Sequence, residues 1–421
     1  MKTQDILKCL KANKNLSAYQ LIENEKDSRE LFYVLDHLEI NRAVKTTTTI
    51  IVVYVNHQDY TGSSTITVTS GDDEKSLNKK IKDAIVKAKA VKNAYYPALP
   101  EIKENIVDKN QDKYDLNSIA NNVAKAVFKA NKYDSGWLNS TEIFVSTIRT
   151  KFFDSNNVKH DVRKFNISVE VIPTWANSKE EIELYKWYET SDINYSEITK
   201  EIDELLLNAK DRSEAKKLKD VKLPKDLKVL VKNDMLDLIL DTFAEDINLR
   251  SVFYKQNHYN KNDLVSDNKL SLTLKPVVKG CSASSKIDNN GMVLKNTKII
   301  SDGKVKKLWG DNRFAYYLKQ DPTGNIPVKE LDGERFDYSK DKHLIIENFS
   351  SPQLDEASGY WGGEVRLAKY FDGKKYIPLT SFSISGNIYE DFKNVKLSKE
   401  EVKHPSYKGP KYLIFEGVKI H

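Results

Sequence analysis

Runs of alternating and β-branched apolar residues predict strands in the first part of the chain. Thr47–Tyr54 (TTTIIVVY) and Ser64–Thr69 (STITVT) are two such runs, and the segment NHQDYTGS between them predicts a hairpin. Ile143–Phe153 and Phe165–Ile172 predict two further strands around the turn FDSNNVKHD. The pattern therefore predicts a sheet in the N-terminal part of the chain.

Apolar residues three and four positions apart predict amphipathic helices between and after these strands. The predicted helices span about Lys75–Val91, Leu116–Lys132 and Tyr195–Lys210. A short apolar run, KDLKVLVK at residues 225–232, predicts a strand, and NDMLDLILDTFAEDIN predicts a helix after it with Asn233 as the N-cap.

Beyond residue 250 the helical pattern gives way to short apolar runs bounded by glycine turns and polar loops, such as LSLTLKPVV and KYLIFEGVKI. The chain is therefore predicted to be α+β. We expect an N-terminal α/β domain at residues 1–218, with amphipathic helices on a sheet, and a mostly antiparallel β domain at residues 219–421.

Composition indicates a globular protein. Of the 421 residues, 39% are hydrophobic and 30% charged, which is outside the range of disordered chains. The two cysteines, Cys9 and Cys281, are too few for a disulfide framework or a four-cysteine zinc site. The start, MKTQDILKCLKANKN, lacks the apolar core of a signal peptide, and no apolar run approaches the ~20 residues that span a bilayer. We therefore expect a cytoplasmic protein with no membrane partner.

The charge pattern argues against a nucleic-acid partner. The net charge is +6, and acidic and basic residues are interspersed along the chain. The densest basic run, AKDRSEAKKLKDVKLPKDLK, is interrupted by Asp and Glu, which favours a solvated helix end and linker over a polyanion site.

The sequence shows no established metal or nucleophile motif. No two of the seven histidines are close enough to share one helix face, and H-E-x-x-H, G-x-S-x-G and both glycine-rich phosphate motifs are absent. The helix after Asn233 carries Asp237, Asp241 and Glu245 at four-residue spacing, which suits a hard cation such as Mg²⁺ or, as we favour, the solvated side of an amphipathic helix. Cys281 lies in a small polar loop with no histidine nearby in sequence.

Two segments pair glycine with asparagine and predict exposed turns. GDNRFAYYLKQDPTGN spans residues 310–325, and SISGNIYEDF spans residues 383–392. Gly and Asn tolerate positive φ and leave backbone N–H groups free, so such turns either bind an extended peptide or partner loop or simply redirect strands. We expect Gly386 to have a positive φ. The candidate cleft or partner-contact residues are Asn312, Arg313, Gly324, Asn325, Gly386, Asn387 and Asp391.

These turns carry a family resemblance. The stretch GDNRFAYYLKQDPTGN, followed by GGEVRLAKYFDGKKYIPLTSFSISGNIYEDFKNV, resembles the TldD/PmbA proteins, two-subunit bacterial metallopeptidases once called modulators of DNA gyrase. The residues that match the closing pattern of this family are Gly373-Lys374, Pro378, Gly386-Asn387, Asp391 and Asn394-Val395. Weaker similarity extends upstream, so the resemblance covers most of the chain.

The resemblance also indicates which kind of subunit this is. In this family the TldD-type subunit carries H-E-x-x-x-H on a helix and a cysteine near the C-terminus, which together bind zinc. The comparable helix here, MLDLILDTFAED, contains no histidine, and no cysteine follows Cys281. The chain thus resembles the TldE/PmbA-type subunit, for which no metal-ligating or catalytic residue and no cofactor is expected, zinc being confined to a catalytic partner.

The resemblance implies a non-catalytic subunit of a cytoplasmic zinc metallopeptidase that acts on unfolded or small peptides. Its partner would be a TldD-like zinc-bearing subunit in a heterodimer, or a second copy in a homodimer. Two alternatives stay open at this point: a stand-alone peptide-binding homodimer without proteolytic activity, and a hydrolase with an unrecognised site.

Overall fold

The computed structural model describes residues 1–108 and 114–421. The helices are α1 (Thr3–Ala12), α2 (Glu74–Ala90), α3 (Leu116–Lys129), α4 (Tyr195–Ser213), α5 (Asn233–Asp246), α6 (Leu249–Phe253), α7 (Asn312–Tyr317) and α8 (Ile388–Asp391), with 3₁₀ helices at Leu218–Asp220 and Phe392–Asn394. No helix in the described part of the chain is long and apolar enough to cross a membrane.

The first sheet is antiparallel and has unusually long strands. Its strands are β1 (Ala18–Val34), β2 (His37–His57), β3 (Tyr60–Val68), β4 (Asn93–Ala94), β5 (Gly136–Asp154), β6 (Lys159–Ala176), β7 (Glu181–Glu183) and β8 (Lys186–Thr190). Their order is β4-β3-β2-β1-β5-β6-β7, with β8 also paired to β6. Each predicted strand is present, but β2, β5 and β6 extend well beyond the apolar runs that indicated them.

Two pairs of helices cover one face of this sheet. Leu21 and Ile51 pack in a core with residues of α1 and α2, whereas Leu31 and Ile143 pack in a second core with residues of α3 and α4. Because side chains alternate between the two faces of a strand, these odd-numbered residues of β1 place both helix pairs on the same face. Between the two helix pairs, the long strands β1, β2 and β5 carry mostly polar residues.

The remaining strands form two mixed sheets. They are β9 (Lys216–Lys217), β10 (Lys228–Val231), β11 (Leu270–Lys275), β12 (Thr297–Ser301), β13 (Lys304–Val305), β14 (Val328–Gly333), β15 (Arg335–Phe336), β16 (His343–Leu354), β17 (Tyr360–Phe371), β18 (Tyr376–Thr380), β19 (Phe382–Asn387), β20 (Lys396–Ser398), β21 (Glu401–His404), β22 (Tyr407–Pro410), β23 (Leu413–Phe415) and β24 (Lys419–Ile420). One sheet has the order β15-β20-β23-β10-β16-β17-β18-β9, with β19 between β17 and β24, and the other has the order β13-β12-β11-β14-β22-β21.

The largest core combines α5 with residues of both of these sheets. The apolar side of α5, including Leu236, Ile239 and Phe243, is fully buried there. The α+β class is thus confirmed, with strands dominating after residue 250. The first sheet ends at Thr190 and β9 already belongs to the second sheet. The domain division between residues 218 and 219 stays a prediction.

A half-buried ion pair links α4 to the second sheet, next to a buried pair within the C-terminal part of the chain. Lys232 Nζ lies 2.5 Å from a carboxylate oxygen of Glu347, and Lys369 Nζ lies 2.7 Å from Asp211 on α4. Burial alone would raise the pKa of Glu347, but the ammonium groups of Lys232 and Lys369 hold that pKa below its usual value. Because each charge has a partner of opposite sign, this contact tolerates burial.

Two local predictions are wrong. Asn233 is the first residue of α5, with φ +52°, and the cap position belongs to Lys232, which makes no side-chain capping hydrogen bond. Ser385-Gly386-Asn387 is the end of strand β19 and not a turn. The chain bends earlier, at Ser381 (φ +61°), between β18 and β19, both of which pair with β17.

Candidate functional site

The first predicted turn, residues 310–325, lies where the C-terminal part of the chain contacts the segment after α2. We call this contact the joint. Asn312 begins α7, and its Nδ2 donates a hydrogen bond of 2.6 Å to the carbonyl of Pro97. Tyr317, at the other end of α7, donates its hydroxyl to the carbonyl of Ala94 at 2.5 Å. Both contacts fix the segment after α2 against the C-terminal part, so the role that these contacts indicate for Asn312 is structural.

Arg313 lies among aromatic rings at the same joint. Its guanidinium carbon is 5.0 Å from the ring centre of Phe314, 5.7 Å from that of Tyr317 and 5.8 Å from that of Tyr96. Its Nε is buried without a hydrogen-bond partner in the described chain, a cost that the cation–π contacts offset in part. The side chain therefore packs within the joint.

Gly324 and Asn325 close the same loop around a buried carboxylate. Asp288 accepts backbone N–H groups of Asn290, Met292 and Asn325, and burial raises the pKa of Asp288 despite these hydrogen bonds. Gly324 has φ +73°, and a Cβ there would lie 2.6 Å from Leu294 and 2.9 Å from Asp288. The loop thus has the positive φ that its composition predicts.

The second predicted turn surrounds a buried tryptophan. Trp361 donates its indole N–H to Asp391 Oδ2 at 2.7 Å, and burial raises the pKa of Asp391. Gly386 is paired with Trp361 across β17 and β19 and has no positive φ, so that expectation is wrong. A Cβ at Gly386 would lie 2.5 Å from Trp361 Nε1 and still closer to Asp391 Oδ2, so close packing is what requires glycine here.

Asn387 caps α8 next to Trp361, Gly386 and Asp391, and we call these four residues the corner. Its side chain accepts the backbone N–H of Tyr389 at 3.1 Å and donates to the carbonyl of Ser358 at 3.0 Å. Among the residues that the structure describes, no hydrogen bond joins this corner to the loop of Gly324. The seven predicted residues therefore form two separate groups with packing and capping contacts.

The carboxylates of α5 are engaged by cationic and histidine side chains. Asp237 lies 3.2 Å from Nδ1 of His404, and Asp241 forms a close ion pair with the ammonium of Lys329, whose side chain is only 6% exposed. Burial, together with Asp241 and Glu356, raises the pKa of Glu245. The stripe is therefore not simply solvated, because its first two members pair with residues of β14 and β21.

The carboxylates of α5 do not fit the zinc site that the family resemblance implies for a TldD-type subunit. Zinc sites in proteins are built mainly from His and Cys, and α5 supplies carboxylates only. An ammonium group beside Asp241 also repels a divalent cation. Within residues 1–108 and 114–421, no group of three His, Cys, Asp or Glu side chains is arranged to hold a metal ion.

Cys281 does not have the environment of a nucleophile. Its thiol is fully buried and lies 3.4 Å from the carbonyl of Tyr407 as a weak donor. Burial raises the pKa of this thiol to about 11, so it is uncharged at neutral pH.

A polar cleft on the first sheet is not among the predicted sites. It has a volume of about 910 Å³ and lies over the mid-strand region between the two helix pairs. Arg149 pairs there with Asp161 and Glu25, and Lys45 pairs with Asp27. The signal in the sequence was ENEKDSRE within β1, whose alternating charges are typical of a polar strand face.

The C-terminal part of the chain matches a known protein family. Residues 224–421 match the family model described as the PmbA/TldA metallopeptidase C-terminal domain. No curated protein matches the chain at the level of sequence. The C-terminal part is therefore a domain of this metallopeptidase-related class.

Solved structures extend the likeness over the full length of the chain. It is similar to TldE from Thermococcus kodakarensis, with a TM-score of 0.79, 13% identity and 99% of each chain covered. It is also similar to a putative modulator of DNA gyrase from Thermotoga maritima, with a TM-score of 0.76, 14% identity and 99% of each chain covered. A putative modulator of DNA gyrase from Bacteroides thetaiotaomicron has a TM-score of 0.76 and 15% identity, covering 99% of this chain and 97% of that one.

Because the solved structures are only 13% to 15% identical to this chain, they establish its fold alone. The family relationship is supported by the match of the C-terminal part to the family model. Residues 224–421 match the C-terminal domain of the PmbA/TldD metallopeptidases, and the chain as a whole is similar in fold to TldE. The resemblance read from the sequence is confirmed.

Proposed function

We propose that this protein is a TldE/PmbA-like subunit of a two-component zinc metallopeptidase that acts on unfolded or small peptides. It contributes no zinc ligand of its own, and the metal belongs to a TldD-like partner subunit. Its N-terminal domain at residues 1–218 and C-terminal domain at residues 219–421 would together form one wall of a cleft that the partner completes. The two cysteines, both free and buried, are compatible with a reducing cytoplasm, where we place the assembly.

One observation carries the proposal. In the metallopeptidase-related domain, the helix that follows the first strand has Lys329 and His404 on its carboxylates where an active metallopeptidase needs open metal ligands. A subunit built in this way needs a partner for the chemistry.

A free sheet edge supports peptide binding. Strand β3 pairs with β2 only from Thr49 onward, so in the described structure the outer edge of His37–Thr48 has no neighbouring strand. An extended peptide can add to such an edge through main-chain hydrogen bonds, which depend little on side-chain identity. This edge also supports the second candidate, a stand-alone homodimer that binds peptides without cleaving them.

Reconstitution distinguishes the two candidates. The purified chain and a zinc-bearing H-E-x-x-x-H homologue from the same organism are assayed alone and mixed, using an unfolded fluorogenic protein substrate. We expect the mixture to cleave the substrate at least about tenfold faster than the sum of the separate proteins, because each supplies part of the cleft. A chain that cleaves by itself, or that leaves the homologue's rate unchanged while binding the peptide as a homodimer, contradicts the proposal.

A further inference from the structure

The face of the first sheet opposite the helices carries aromatic and acidic side chains at one end. Strand pairing aligns them in two rows that each cross five strands. We call these ten residues the aromatic-acidic surface: Ile40, Phe32, Glu142, Glu170 and Trp187 in one row, and Arg42, Glu30, Phe144, Ser168 and Glu189 in the other. Their neighbours Leu31 and Ile143 point to the helix-covered face, so the surface lies opposite α3 and α4.

In the described structure, the C-terminal part of the chain packs against the other end of this face. There His160 Nε2 lies 2.8 Å from the carbonyl oxygen of Gly291, and Ile287 packs against Phe152. At the aromatic-acidic surface, by contrast, Trp187 is 54% exposed and Ile40 is 49% exposed. Exposed apolar area of this kind on a sheet face is typical of an interaction site.

The aromatic side chains are held in place. Phe32 and Phe144 meet edge to face with ring centres 5.6 Å apart, and the Arg42 guanidinium lies 5.0 Å from the ring centre of Phe32. The indole N–H of Trp187 donates to the hydroxyl of Ser168, which fixes the ring while leaving much of its surface open. Fixed aromatic rings bind a partner at a low cost in side-chain entropy.

The charges on this surface are unbalanced. It carries four carboxylates and one guanidinium, and Arg42 pairs with Glu30 at 2.5 Å. Glu142 and Glu170 are directly opposite each other on β5 and β6. Glu142, Glu170 and Glu189 form no ion pair in the described chain, although Glu170 accepts a hydrogen bond of 3.1 Å from the hydroxyl of Tyr185. Like charges at opposed positions destabilise a sheet unless a cation joins them.

We propose that the aromatic-acidic surface docks a basic, apolar segment of another protein, whose Lys or Arg side chains meet Glu142, Glu170 and Glu189 while its apolar side chains pack on Trp187 and Phe144. A second copy of this chain fits less well. In a twofold contact the same surface would face itself, placing carboxylates against carboxylates. This inference does not rest on the proposed metallopeptidase role.

Binding of two synthetic peptides tests the inference. One peptide alternates Leu with Lys, and its counterpart has Glu in place of every Lys. We expect fluorescence anisotropy at low salt to show binding of the Lys peptide only. That binding should weaken at least about tenfold in Trp187→Ala and in the double variant Glu142→Gln/Glu170→Gln, because both remove part of the docking surface.

The control is Glu101→Gln/Glu104→Gln, which removes two exposed carboxylates outside the surface and should leave the affinity unchanged. Thermal unfolding verifies that each variant is folded, and the double variant keeps the test valid if Trp187→Ala does not fold. Three results overturn the inference: no binding of the Lys peptide, equal loss in the control, or a homodimer in sedimentation that Trp187→Ala dissociates.

Discussion

Gly324 and Gly386 have similar sequence surroundings, but different structural constraints require glycine at the two positions. Each precedes an asparagine in a polar stretch, which predicts a turn with positive φ at both positions. Gly324 does have φ +73°, whereas Gly386 lies in a strand and is confined by Trp361 and Asp391. A Gly-Asn pair therefore indicates that glycine is needed, and the surrounding structure determines whether the backbone conformation or a neighbouring side chain imposes this need.

The largest effect is expected for Gly386→Val. Its Cβ would overlap Trp361 Nε1 and Asp391 Oδ2 and separate that hydrogen-bonded pair, at a cost of about 3 kcal/mol in the free energy of unfolding. Urea unfolding measures this cost. Lys393→Ala is the matched control, because in the described chain the Lys393 side chain forms only an exposed ion pair with Glu390, and the stability of this variant should stay within about 0.5 kcal/mol of wild type. A Gly386→Val protein as stable as the control contradicts the close packing.

Gly324→Ala should cost less, about 1–2 kcal/mol. The added methyl group is strained by the positive φ and also meets Leu294, a flexible side chain that can shift. Thermal unfolding at neutral pH measures the loss. Unchanged stability would show that the loop relaxes freely around Asp288.

A double-mutant cycle separates the two causes. Asp391→Ala removes one of the two groups that a Cβ at position 386 would overlap and frees Trp361 to shift, so Gly386→Ala should cost about 1 kcal/mol less in the Asp391→Ala background than in wild type. The matching cycle at Gly324 with Leu294→Ala should recover less, because truncating Leu294 does not change the backbone dihedral. Equal recovery at both positions would remove the distinction between them.

The smallest effect is a pH dependence at Asp391. Burial raises the pKa of this carboxyl in the folded protein, so on acidification the folded state takes up the proton before the unfolded state does. That uptake stabilises the wild type as pH falls, and Asp391→Asn cannot share it. The destabilisation of Asp391→Asn relative to wild type should therefore grow between pH 7 and pH 4. A difference that is constant or shrinks in this range opposes the assigned direction.

Much of the architecture follows from local patterns, and the limits have physical causes. The apolar stripes place α2, α3 and α4 to within a few residues, because each stripe is the buried face of the helix. The strands are longer than their apolar cores, since charged residues in β1 and β2 are held extended by pairing with neighbouring strands. Asn233 follows a strand and so resembles a cap, yet its backbone has a positive φ.

The ion pairs of α5 lie beyond the reach of local patterns. Asp241 pairs with a lysine 88 positions away, and Asp237 with a histidine 167 positions away. A short window of the sequence shows three carboxylates with no partner nearby. In the folded chain two of them are paired with Lys329 and His404. The aromatic-acidic surface could not be predicted from local sequence patterns either, because each of its rows combines residues of five strands.

Zinc content tests the central claim most directly. The purified chain is loaded with zinc, dialysed, and analysed for metal, alongside Asp237→Ala/Asp241→Ala. The ammonium of Lys329 and the absence of His and Cys on α5 predict far less than one zinc per chain, and no difference between the two proteins. About one zinc per chain that survives dialysis in the wild type and is lost in the double variant would contradict the claim that this subunit has no metal site of its own.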